Sequence, residues 1–495
     1  AIESRVVGGA SMQRWLVGVL AAGASASDVA NWRSAFETRY DAVILGTGLK
    51  ESLLAGLLAN RGKKVLQLDR NEHYGGAAAS LDLSQLYERL GAPGEQPNQK
   101  KLGASDSYRV DLAPKVVMAH GAELQLLVHS GAWKHMDWKR VQRSFIYRKA
   151  ADGKPDVHRV LATVEDVLKT RILTTMQKSA MVRLFTWLEQ YEEDNPKTHS
   201  VGVVSKTKLN VHRMSAAAFL RFWEVTPEMT HVLVRGMALH DGPMKALKKM
   251  PAVVLLRKLK RYKSAYKTFP HMTSPYVYPS KGIGSELPKA VAEVLEEAGG
   301  RTLMGRPIDR VLFDESGKAC GVVSEGVEVS ADCVIADASY VPDKVAPTHQ
   351  VVRLYALLAH PPHKCKDAMS CQLIIPAEAC GRKSDAYLFA GSQPLRLAPS
   401  ERWIVTVSAK VEGETEGLSA MAIAKRELAA ALPLLKPAAK MFAELSDVCE
   451  QSESGEESRL FVPATCDASS NMGSAAADVE QLFERITGEA LDLDA

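Results

Sequence analysis

Apolar positions change rhythm along this chain, and each change predicts a different kind of element. Tyr40-Asp41-Ala42-Val43-Ile44-Leu45 is a short, nearly unbroken apolar run, the pattern of a buried strand. Gly46-Thr47-Gly48 follows at once, then a helical stretch over 52–59, then a second apolar run over 64–68 that ends in Asp69. A strand, a Gly-x-Gly turn, a helix and a strand closing on a carboxylate compose the first unit of a dinucleotide-binding fold. The full pattern requires a third glycine three positions after Gly48, and Glu51 stands there. That glycine lets the helix lie close to the strand while the helix N-terminus holds a pyrophosphate. A carboxylate in the first turn suits the helix dipole by itself, but it crowds and repels a diphosphate. Gly46, Gly48, Glu51 and Asp69 therefore read as the vestige of a cofactor site, and no cofactor is expected.

Between 163 and 262 the spacing becomes helical. Thr163 with Asp166 three positions later forms a capping-box pattern, opening a helix to about 190 with Met176, Leu184 and Leu188 among its apolar positions. Thr226-Pro227 supplies a cap and an N1 proline for another helix, lined by Met229, Leu233 and Met237 and stopping near Asp241-Gly242. Residues 245–267 carry nine Lys or Arg and no acidic residue, over an apolar stripe of Leu255, Leu256, Leu259, Tyr262 and Tyr266. A basic amphipathic helix of this kind can lie on anionic membrane; the favoured reading is a solvated basic face over a buried stripe. Strand-like runs return at 351–358, 372–376 and 403–408, and 419–432 reads as an Ala-rich helix ended by Pro433. The loop at 93–106 and the Glu/Ser-rich stretch at 450–458 read as solvated surface.

Composition narrows the class. At 495 residues the chain has room for two or three domains, and 46% hydrophobic with 24% charged residues fits a folded protein that needs no disulfide staples. A net charge of +4 is too small to argue for nucleic acid as a partner. All seven cysteines lie after residue 319 and none forms a Cys-x-x-Cys pair, which leaves zinc and thioredoxin-like sites unsupported and favours reduced thiols in a cytoplasmic protein. No apolar run approaches the ~20 residues of a membrane span. The stretch from Arg14 to Ala26 imitates a secretory signal, but residues 1–36 are expected as a disordered or signal-like extension. None of the histidines has the local context of a catalytic set, so no catalytic residue and no metal site is proposed.

Several blocks then carry a resemblance. Leu45-Gly46-Thr47-Gly48-Leu49, Asp69-Arg70-Asn71-Glu72-His73-Tyr74-Gly75-Gly76, Val110–Lys115 (Val-Asp-Leu-Ala-Pro-Lys), Glu193-Asp194-Asn195-Pro196-Lys197-Thr198, Ser274-Pro275-Tyr276-Val277-Tyr278-Pro279, Ser339-Tyr340-Val341-Pro342-Asp343 and Gly381-Arg382-Lys383-Ser384-Asp385 occur in this order. Together they resemble the Rab GDP dissociation inhibitors, from about residue 38 to the end. The resemblance implies an α/β fold, with an FAD-binding-like (Rossmann-type) sheet domain over 38–150 and 265–480, an inserted helical domain over 160–262, and an acidic tail over 481–495.

It implies a non-enzymatic partner as well: GDP-bound, prenylated Rab GTPases, held by a monomer that is cytoplasmic and touches membrane transiently. Tyr74, Arg70 and Glu286 fall on the family's GTPase-receiving surface, with the extra residue Ser285 beside Glu286. Two positions of that surface depart from the pattern. Glu293 stands where the family carries arginine, and Leu303 where it carries methionine. Met176, Leu184, Leu188, Met229, Leu233 and Met237 would line the apolar pocket for the prenyl chain. Two other readings stay open. Rab escort proteins share several blocks but usually carry long insertions. An FAD-dependent oxidoreductase of the amine oxidase type shares the fold, but it is opposed by Glu51, by Ala77-Ala78-Ala79-Ser80 where an arginine usually follows the glycine pair, and by the lack of a closing Gly-Asp pair in the last third.

Overall fold

Two seven-stranded sheets organise the protein, and the computed structural model describes residues 35–150, 152–170, 172–202, 207–365 and 368–493. The first sheet is built on β1 (Tyr40–Leu45), which is flanked in parallel by β2 (Val65–Leu68) and by the second half of Val327–Ala336. Arg301–Leu303 extends it beyond β2, and Leu460–Phe461 also pairs with Val327–Ala336. Parallel strands need both faces covered, which is why β1 and β2 are almost continuously apolar. One cover is α1 (Leu49–Asn60), itself buried over Leu49–Ala59. On its far side pack α2 (Ile283–Glu297) and α3 (Gly473–Thr487).

The second sheet runs in the order Ala438–Gln451, Val345–Leu358, Trp403–Lys410, Ala386–Gly391, Ser370–Ile375, Arg143–Lys149 and Pro155–Arg159. It is antiparallel except where Ser370–Ile375 meets Arg143–Lys149. The chain leaves this sheet after Pro155–Arg159 for a helical segment running from Val164–Lys169 to Ala252–Thr268. The apolar core is continuous from Leu53 and Leu54 of α1, through Val117 and Tyr276, to Trp187, Phe219 and Leu256 of the helices. Among the described residues, no helix is long and apolar enough to cross a membrane, and no cluster of three His, Cys, Asp or Glu side chains could hold a metal ion. All seven cysteines are free, with Cys365 and Cys371 buried.

Several expected boundaries move. The stretch 163–190 is two helices, Val164–Lys169 and Thr175–Gln190, because Thr174 and Gln177 form a second capping box after the chain extends at Thr170. The helix beginning at Thr226 becomes a π-helix over Val232–Met237. Residues 481–487, expected as the start of a separate acidic tail, complete α3, with Leu482 and Phe483 buried in the main core. The extension expected at 1–36 lies outside the described residues up to 34, while Ala35 and Phe36 are buried against the first sheet.

Candidate functional site

At the C-terminal end of β1 the backbone turns through Gly46 in a left-handed conformation (φ +101°) that glycine adopts freely. Gly48 then caps α1. A Cβ on Gly48 would overlap Oε2 of Glu51, because the Glu51 carboxyl folds back over the start of its own helix. Burial, and then the charge of Asp337, push this carboxyl up to about 8. It is therefore largely neutral at pH 7.

Asp69, at the end of β2, is 1% exposed and fully engaged. One oxygen accepts from Thr47 N (2.8 Å) and Thr47 Oγ1 (2.6 Å), the other from Asn71 N and Nδ2 (both 2.8 Å). Thr47 Oγ1 accepts in turn from Gly75 N at 3.0 Å. A side-chain relay thus ties the loop 69–76 to the glycine turn. These residues do not fit a dinucleotide such as FAD: a carboxyl covers the diphosphate position, and the carboxylate that would grip a ribose is spent within the protein.

The same loop meets α2 edge to edge. Gly75 (φ +101°) and Gly284 are so close to facing backbone that a Cβ on Gly75 would strike the Gly284 carbonyl, and one on Gly284 would strike the Ala78 carbonyl. Ser285 binds the seam. Its N–H donates to Ser80 Oγ (3.0 Å), its hydroxyl accepts from Ser80 N (3.1 Å), and its Oγ lies 3.3 Å from the Tyr74 carbonyl. Below the seam, the buried Asp111 carboxylate accepts from Ile283 N (3.2 Å), Gly284 N (3.0 Å), Ser80 Oγ and Tyr278 Oη. An anion at the first N–H groups of a helix is favourable by hydrogen bonding and by dipole alike. Burial nonetheless raises the Asp111 pKa, despite these bonds.

Around this seam the structure gathers most of the residues expected on a partner surface. Tyr74 is half-buried; burial, and then the nearby Glu293, raise its pKa. Glu286 lies one residue from Ser285 and pairs with Lys289 at 3.1 Å. Glu293 is 63% exposed and meets His135 Nδ1 at 2.7 Å, a contact that sequence reasoning missed. Leu303 lies beside Leu68, and its carbonyl accepts from Asp69 N at 3.0 Å; its side chain is half-buried against the sheet core. Arg70 faces elsewhere: its guanidinium lies 4.4 Å from the Tyr340 ring centroid and donates to Ser339 Oγ at 2.6 Å.

Of the six residues expected to line an apolar pocket, Leu184, Leu188, Met229, Leu233 and Met237 are buried together in the main core. Met176 is 84% exposed, in the first turn of Thr175–Gln190 on its solvent side, so it lines no pocket here. The π-helix carries Arg235, whose side chain is 2% exposed and lies 2.6 Å from Glu378 and 3.6 Å from Asp385 of the second sheet's connecting loop. Burial pushes the Asp385 carboxyl up to about 6, although Arg235 opposes the shift. In the basic stretch 245–267, Leu255, Leu256, Leu259 and Tyr262 are buried, Arg257 pairs with Glu193, and Lys263 pairs with Glu189 at 3.1 Å.

The whole is an FAD-binding-like architecture in which the cofactor position has been given over to side chains. A family model described as GDP dissociation inhibitor matches residues 36–495. The chain belongs to the GDP dissociation inhibitor family, a family of regulators and not of catalysts. It is 34% identical over 457 residues to a guanosine nucleotide diphosphate dissociation inhibitor of Arabidopsis thaliana, covering 92% of this chain and 97% of the relative. Guanosine nucleotide diphosphate dissociation inhibitor 2 of the same plant is 33% identical over 457 residues, with the same coverage. Among solved structures, the Rab GDI of Plasmodium falciparum superposes with a TM-score of 0.83 at 28% identity, over 92% of this chain and 99% of that one. An oxidoreductase of Methanosarcina mazei, at a TM-score of 0.51 and 13% identity over 90% of this chain and 100% of its own, shares the fold alone.

Proposed function

We propose that this protein binds GDP-loaded, prenylated Rab GTPases, slows their release of GDP, and moves them between membrane and cytosol. No bond is made or broken in this cycle. The observation that carries the reading is the seam itself: Tyr74, Glu286 and Glu293 come together on two segments locked by Ser285 and Asp111. Likeness over nearly the full length of the Rab GDI of Plasmodium falciparum supports it. The half-buried aromatic Tyr74 is the anchor, and Glu293 is the charge that tunes partner choice.

The helical segment is the shelter for the lipid. Leu184, Leu188, Met229, Leu233 and Met237 already form one apolar mass, which must part to admit a prenyl chain. Each CH₂ moved from water into such a pocket contributes ~0.8 kcal/mol, so burying a prenyl chain lets the protein compete with the bilayer. Exposed Lys245, Lys248 and Lys249, just before the helix Ala252–Thr268, offer a positive face toward anionic lipid. The test is incubation of the purified protein with prenylated Rab on liposomes. Release is expected with GDP and not with a GTP analogue; equal release with both, or none with either, would overturn the proposal.

A further inference from the structure

We infer that Glu51 is an internal stand-in for a diphosphate, and that its side chain is what closes an otherwise surviving nucleotide cleft. The helix N-terminus of this fold offers its first N–H groups to a diphosphate. Here the Glu51 carboxyl lies over Gly48 at that end, and the residue is only 6% exposed. The charged groups that face it are Asp337, Lys50 and Asp478. Lys50 is turned away, donating to Asp478 at 2.6 Å and to the Ala464 carbonyl at 2.7 Å, so it does not neutralise the carboxyl by direct pairing. The carboxyl meets the helix N-terminus buried and with the charge of Asp337 nearby, and both raise its pKa.

The cleft beyond it has not collapsed. A cavity of about 570 Å³ remains beside Gly46, Gly48, Asp69, Arg70, Arg89 and Tyr340, within the size range of small-molecule sites. Glu51 itself lines a smaller adjoining cavity of about 130 Å³ that shares Gly48, Ala77, Arg89 and Asp337 with the first, so removing its side chain would join the larger cavity to the freed helix N-terminus. The ligand class it would then take is a nucleoside diphosphate, held by its phosphates, since Asp69 is spent on Thr47 and Asn71. Neither step depends on which partner the seam receives.

The experiment compares wild type, Glu51→Gly, Glu51→Ala and Glu51→Gln by thermal shift and calorimetry with ADP, and separately with FAD. Wild type and Glu51→Gln should show no melting-point shift with millimolar ADP. Glu51→Gly or Glu51→Ala should bind ADP at least tenfold more tightly than wild type. Wild-type binding as tight as that of the shortened variants would overturn the inference, and so would a cooperatively folded Gly or Ala variant that gains nothing. Equal gain by Glu51→Gln would show that occupancy is not the barrier. If both shortened variants fail to fold, a folded Glu51→Gln that excludes ADP supports the stand-in role, and an unfolded one overturns it.

Discussion

Replacing Asp111 with alanine should unseat the start of α2. The carboxylate takes four hydrogen bonds from donors on three separate segments: Ser80, Tyr278, and the amides of Ile283 and Gly284. Tyr278 is 0% exposed and Asp111 4%, so the orphaned donors have no ready access to bulk water. Losing a helix N-cap acceptor costs about 1 kcal/mol, and a buried donor left without a partner costs about 1–3 kcal/mol. The alanine variant also sheds the burial penalty that the raised Asp111 pKa records, which pulls the total toward its lower end. The expected loss is about 3 kcal/mol of unfolding free energy. Urea unfolding measures it, and hydrogen exchange should show faster opening of the Ile283 and Gly284 amides than of those in β1. A loss under about 1 kcal/mol, with α2 still protected, would refute the view that this carboxylate sets the helix. Partner binding should weaken in parallel, since Tyr74 and Glu286 both hang on the same seam.

Other perturbations separate stability from recognition. Tyr74→Ala should cost roughly 1–3 kcal/mol of Rab binding with little change in melting temperature; full affinity, or a large drop in melting temperature, would mark the tyrosine as peripheral or structural. Glu293→Arg should tighten binding to a typical prenylated, GDP-bound Rab and weaken binding to the cognate partner, by about 1 kcal/mol or less at this exposed position and less still in high salt; unchanged affinities for both would place residue 293 outside the contact. The folded-state pKa of Glu51 is raised from 4.5 to about 8, so its contribution is present in full below 4.5 and is lost as pH rises through 8. Wild type should therefore lose stability relative to Glu51→Gln across that window, by on the order of 1 kcal/mol per pH unit, and parallel pH profiles would contradict it. Arg235→Ala leaves the buried Asp385 without its cation and should destabilise by about 3 kcal/mol in chemical unfolding; a variant as stable as wild type would show that the pair is not coupled.

The elements most legible in the sequence were those whose signal is local. β1, the glycine turn and β2 follow from apolar runs and two glycines, and Glu51 announces itself by standing where a glycine belongs. Its fold-back over Gly48 does not, since a rotamer leaves no periodic trace. The break in 163–190 was readable: Thr174 and Gln177 repeat the spacing of Thr163 and Asp166. So was the docking of α3, where Val479, Leu482, Phe483 and Ile486 share one face at helical spacing. Asp111 could not have been read so. It lies in a recognisable block, but the helix it caps begins 172 residues later, and only the folded chain brings them together. The same holds for Asp385 with Arg235 and for His135 with Glu293. Blocks that suggest a binding surface by resemblance are in good part joints between distant segments.

The facing glycines at 75 and 284 bear on how this surface can change. Neither position admits a side chain, so the tyrosine loop and α2 share a fixed join. A partner bound here, as proposed, would meet a surface assembled in advance, and little conformational freedom would be lost on this side of the encounter. An exposed charge such as Glu293 can be reversed while the tyrosine stays where it is, whereas a methyl group added at the join would strike facing backbone.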